Sequence, residues 1–133
     1  MGQQQLLLII LGVIIVGIAI AVGISMFGSG AVQSNKDGIV NELNNLAANA
    51  YQHRTRPATM GGGYGAYDNS KGGTTYSVPT KLDTTENGYY SASVTGPDAI
   101  TFTAISAQGY GNVTADLGAD GKLTNFGYTG DFQ

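Results

Sequence analysis

Polar and apolar positions divide this chain sharply in two. A short polar start, MGQQQ, precedes an apolar run from Leu6 to Phe27 that holds three glycines, one serine and no charge. A helix that is apolar on every face has no stable place on the surface of a domain of about 100 residues. Its 22 residues would rise about 33 Å as a helix, enough to cross the ~30 Å hydrocarbon layer of a bilayer. The segment is expected in lipid or in the core of a multi-subunit assembly.

The pattern changes after Gly28-Ser29-Gly30, where both an interruption and a continuous helix fit. Ala31 and Val32 continue the apolar character and favour one long helix with a weak point. Ile39, Leu43, Leu46 and Ala50 then recur at helical spacing, flanked by Val40, Ala47 and Tyr51, while Asn41, Glu42, Asn44, Asn45 and Asn49 are polar. This predicts an amphipathic helix with one buried stripe from about Ser34 to His53. Ser34 followed by Asp37 is a weak form of the capping box. Pro57 ends the helix by forcing the preceding residue out of the α region. His53, Arg54 and Arg56 fall in the last turn, where cations oppose the helix dipole. A solvated helix end explains them more simply than a ligand patch.

Beyond Gly61 the helical period is lost. Gly61-Gly62-Gly63-Tyr64-Gly65 lacks the Lys-Ser/Thr of a phosphate loop, and Asp68 stands where a dinucleotide motif needs its third glycine. A flexible connection is the expected role. Four alternating segments follow: Tyr89 to Val94, Ala99 to Ala107, Asn112 to Leu117 and Lys122 to Tyr128. Short Gly-containing links between them predict an antiparallel meander. Leu123 and Phe126 have opposite parity, so the fourth strand should carry a bulge. One sheet face needs a cover, and the stripe Ile39, Leu43, Leu46 and Ala50 is the available one.

Composition narrows the chemistry. All fifteen charged residues lie from Lys36 onward and sum to −3, so there is no basic stripe for nucleic acid. There are no cysteines and one histidine, so disulfides and thiol catalysis are excluded, and no metal site, cofactor or catalytic set is expected. Asp116 and Asp120 flank a glycine turn without the spacing of a calcium loop. Asn112-Val113-Thr114 is an N-x-T triplet, a possible glycosylation site. The eight tyrosines suit half-buried sheet rims and subunit contacts better than electron paths. An enzyme is not expected.

Three readings of the apolar run remain. A signal peptide would need a basic start, and MGQQQ has none, although Ala19 to Ala21 offers a small-residue step. A simple membrane anchor fits the hydropathy, but no positive charge within eight residues of either end sets its orientation, which suggests that a basic leader has been removed. A helix that packs against copies of itself also explains Gly2, Gly12, Gly17, Gly23, Gly28 and Gly30. In a plain anchor each interior glycine costs about 1 kcal/mol without return.

A short polar start, about twenty apolar residues, an amphipathic continuation and a small β-rich half together resemble a mature type IV pilin. The pattern covers residues 1 to about 52, and the remainder is similar in architecture only. The resemblance implies a leader cut by a prepilin peptidase, N-methylation of the new first residue, here Met1, and export by a pilus assembly machinery. The family usually has Glu at the fifth position, thought to pair with a neighbour's terminal amine. This chain has Gln5, which accepts a hydrogen bond but does not neutralise the charge.

The resulting expectation is an α+β fold, a long N-terminal helix under a small antiparallel meander. Residues 1–30 form the hydrophobic helix, 31–56 its amphipathic continuation, 57–88 a Gly-rich connection and 89–133 the outer sheet. The expected role is the structural subunit of an extracellular filament, held in the cytoplasmic membrane before assembly. Its partners would be membrane lipid and copies of itself, through Gln3, Gln4, Gln5, Leu6, Leu8, Leu11, Ile14, Gly17, Ile18, Ile20 and Ile24. A monomeric anchored surface protein and a secretion pseudopilin are the alternatives.

Overall fold

A computed structural model describes residues 2–133; the expected processing position, Met1, lies outside them. The chain has an α+β fold: one helix, α1 (Gln3–Thr55), and an antiparallel sheet of β1 (Gly88–Gly96), β2 (Ala99–Ser106), β3 (Asn112–Leu117) and β4 (Leu123–Tyr128). Two compact units divide it, one ending at Gln33 and the other spanning Ser34–Gln133. Helical hydrogen bonding continues through Gly28-Ser29-Gly30, so Ser34 lies inside α1 and caps nothing.

Within the second unit the stripe of α1 forms one half of the core. Ile39, Leu43 and Ala50 are fully buried, as are Ile100, Phe102 and Ala104 of β2 and Val113 of β3. The sheet order is β1-β2-β3-β4, a meander whose inward residues in β2 and β3 alternate with outward Thr101, Thr103, Ile105, Asn112, Thr114 and Asp116. On the outer face Ser91 stands beside Thr103, and Thr103 beside Thr114. The bulge in β4 falls between Thr124 and Gly127, where three steps on β4 oppose two on β3. Asn125 absorbs it at φ 54°, a left-handed conformation that asparagine tolerates better than most residues. A second irregularity, in β1, lies between Val94 and Gly96.

Polar side chains tie the helix to the sheet at two levels. Asn35 is one of the few buried polar residues, and it joins Ser106, Gln108 and the Asn87 carbonyl. About two turns along α1, the Glu42 carboxylate accepts from Asn87 Nδ2 at 2.9 Å, from Thr85 Oγ1 at 2.7 Å and from the Tyr90 hydroxyl. Burial, and then that carboxylate, push the Tyr90 phenol well above its ordinary range. At the open edge of the sheet, Lys36 Nζ sits 4.1 Å from the centre of the Tyr128 ring, which stacks on Phe126.

The glycine segment after Pro57 is not the flexible connection its composition suggests. It caps α1. Gly63 N–H donates to the His53 carbonyl at 2.8 Å, Gly65 N–H to Arg54 at 2.6 Å and Tyr64 N–H to Arg56 at 3.1 Å. A helix end leaves such carbonyls without intrahelical partners, and a bare backbone that folds back can reach them. The approach is so close that a Cβ at Gly63 would lie 1.8 Å from the Ala66 carbonyl oxygen. Further on, Tyr67 is fully buried and its hydroxyl donates to the Gly118 carbonyl at 2.7 Å. Residues 57–88 thus contribute to the core, through Ala66, Tyr67 and Tyr76.

Candidate assembly surface

The N-terminal unit is a surface of apolar side chains. Every large hydrophobic residue from Leu6 to Phe27 is more than half exposed, including Leu6, Leu8, Leu11, Ile14, Ile18, Ile20 and Ile24. Gln3, Gln4 and Gln5 occupy the first turn of α1 and are exposed as well. By length and composition α1 suffices to cross a membrane. Leaving one such side chain in water rather than buried costs about 1.5–3 kcal/mol, so the whole set requires an apolar surrounding.

The glycines of this unit have no reason within the chain. A Cβ built at Gly12, Gly17, Gly23, Gly28 or Gly30 meets nothing within 4 Å. None of them sits in the left-handed region that favours glycine. The contrast with Gly63 is direct, since there the fold itself excludes a side chain.

The other candidate residues fall in the second unit. Ile39, Leu43, Leu46 and Ala50 are covered by the sheet and serve its core. Asn112 opens β3, half-buried, with its N–H on Thr129 Oγ1. Asp116 and Asp120 are turned to donors of their own chain: Asp116 accepts from Thr101 Oγ1 at 2.9 Å and Asn125 Nδ2 at 3.2 Å, and Asp120 from Lys122 N–H at 3.1 Å. Among the described residues no group of three His, Asp or Glu is placed to hold a metal ion.

The cations at the end of α1 separate. Arg54 is not a solvated side chain but a clamp. Its guanidinium donates to the Ala119 carbonyl at 2.7 Å and to Asp98 at 2.5 Å, and lies 5.4 Å from the Tyr67 ring centre. Burial raises the Tyr67 phenol above its usual range, and the Arg54 charge pulls the other way. His53 turns to the opposite side, with Nε2 2.7 Å from the Thr74 carbonyl and its ring edge-on to Tyr76. No sequence signal separated Arg54 from Arg56, because the carbonyl and carboxylate that select Arg54 come from β-turns more than 40 residues away.

Compared with protein-family models, curated proteins and solved structures, the chain matches none. The architecture itself, a long apolar N-terminal helix whose second half packs against a small antiparallel sheet, is coarsely that of pilin-like folds and suits a filament-forming subunit in general.

Proposed function

We propose that this chain is a pilin-like subunit of an extracellular helical filament, and that its role is structural rather than catalytic. The observation that carries the reading is the exposed apolar helix from Leu6 to Phe27, which has no covered face. Lipid satisfies such a helix before assembly, and neighbouring copies replace the lipid afterwards. The unexplained glycines support copies over lipid. At about 100° per residue, Gly12, Ala19, Gly23 and Gly30 share one face, while Gly17, Ala21 and Gly28 lie on another, roughly 150° around. Two notched faces admit two close neighbours at once, which extends an assembly instead of closing it as a pair. The resemblance of residues 1 to about 52 to mature pilins supplies the rest: processing before Met1 by a prepilin peptidase, delivery by an assembly machinery, and a surface filament as the destination.

Negative-stain electron microscopy of material sheared from cells tests polymerisation. Filaments that contain this chain are expected. A chain found only as a membrane monomer favours the anchored alternative. Gly17→Leu then tests the helix contact, because it keeps the run apolar while blocking close approach. The variant should accumulate in the membrane and polymerise poorly. Normal filaments from it would place Gly17 away from any tight contact.

A further inference from the structure

Beside the end of α1 the second unit carries a cleft of about 340 Å³, walled by the helix end, Gly61, residues 74–77 and Pro79. Its lining is mainly polar and contains no carboxylate. The hydrogen bonds around it define what it offers a ligand. The Tyr76 hydroxyl donates to Asn49 Oδ1 at 3.0 Å, which orients the Asn49 amide and leaves its NH₂ as a donor. His53 meets the Thr74 carbonyl through Nε2, so that nitrogen carries the proton and Nδ1 is the second polar atom of the ring. Arg56 is exposed at the rim, separated from Arg54 and its acidic partner. Thr75 and Ser77 add two exposed hydroxyls.

We propose that this cleft binds an acidic sugar residue, a pyranose bearing one carboxylate. The charge argument comes first. In a chain of net charge −3, a cleft whose charged lining is one arginine selects an anion locally. A guanidinium holds a carboxylate through two parallel hydrogen bonds, a geometry that lysine does not reproduce. The remaining lining, an amide NH₂ and two hydroxyls, matches ring hydroxyl groups. The carbonyls at the end of α1, which would repel an anion, are already covered by Gly63, Tyr64 and Gly65. The volume is at the low end of the ~300–1,000 Å³ typical of small-molecule sites, with room for one ring rather than a chain of them. This site is independent of polymerisation and stands or falls apart from the filament reading.

Saturation-transfer NMR on the full chain in a sugar-free zwitterionic detergent tests it, with glucuronate as the probe. Binding in the low-millimolar range is expected, with glucose and acetate each at least tenfold weaker. Polygalacturonate should compete with glucuronate if the residue is recognised within a polymer. Failure to compete restricts the site to the free sugar acid, within the same ligand class. Arg56→Gln should weaken glucuronate at least tenfold. Lys122→Gln, which removes an exposed cation beside β4 and outside the cleft lining, should not weaken it. Thr75→Val provides a second variant at an exposed position and should weaken binding severalfold. Absence of glucuronate binding at tens of millimolar overturns the proposal. Equal binding of glucose or of acetate overturns the ligand class, and an unchanged Arg56→Gln variant overturns the site.

Discussion

Ser106, the last residue of β2, donates its hydroxyl hydrogen bond to Asn35 Oδ1 at 2.6 Å, across 71 residues of sequence. The Asn35 amide completes its bonding with the Asn87 carbonyl at 3.0 Å and Gln108 Oε1 at 2.8 Å. An asparagine on a helix face is ordinarily solvated. Here it is buried and satisfied on both ends, which makes it a clip between α1 and the sheet.

Removing that clip strands a partner. Asn35→Leu should destabilise the second unit by about 1–3 kcal/mol, because the buried Ser106 hydroxyl loses its acceptor, while the Asn87 carbonyl keeps the Ala107 N–H. Ser106→Ala should cost about 1 kcal/mol. Denaturant titration of both variants and of the double variant checks this. The double variant should cost less than the sum, since the residues share one hydrogen bond.

Arg54 and Asp98 form an ion pair of unequal members, with side chains 17% and 60% exposed. Asp98→Asn should therefore cost less than about 1 kcal/mol, the range of exposed pairs. Arg54→Met should cost about 1.5–3 kcal/mol, because the charged bond to the Ala119 carbonyl is lost with it. Thermal melts of the two variants provide the comparison. Equal losses would assign the stabilisation to the ion pair alone.

Tyr76 links stability to alkaline pH. Burial pushes its phenol up to about 12 from the ordinary value of 10.0. A phenol whose folded value is raised favours the protonated, neutral form in the native state. Its contribution is fully present below pH 10 and is lost as pH rises from about 10 to about 12. Two units correspond to roughly 2–3 kcal/mol. Tyr76→Phe should flatten the stability profile in that window, at the cost of the bond to Asn49. Denaturation curves between pH 9 and 12 (about that range suffices) measure the difference.

A chain that begins at Ser34 should fold alone. Its core residues from Ile39 to Phe132 lie within the unit Ser34–Gln133. At a new helix start Ser34 and Asp37 regain the capping role that the continuous helix denies them. Circular dichroism and sizing of this fragment should show a folded, soluble monomer. An aggregated product would mean that the first unit completes the core.

Local pattern was enough for the elements. An apolar run with no charge admits little but a helix in an apolar surrounding, and alternating residues between glycine turns admit little but a meander. The parity conflict of Leu123 and Phe126 even marked the strand that carries the bulge, though Asn125 as its pivot depends on the pairing with β3. Composition misled where function comes from backbone geometry. A run of glycines reads as flexibility, yet Gly63 and Gly65 are held by carbonyls of α1, and that use appears only when the chain turns back on the helix end. The same limit applies to side chains whose partners are distant. Asn35, Glu42 and Arg54 are polar residues on a helix, alike in sequence to their solvated neighbours. Their bonding was decided by where the segment leading into β1, the end of β2 and the turn at Ala119 come to lie, because a hydrogen bond between residues tens of positions apart leaves no periodic trace in the sequence.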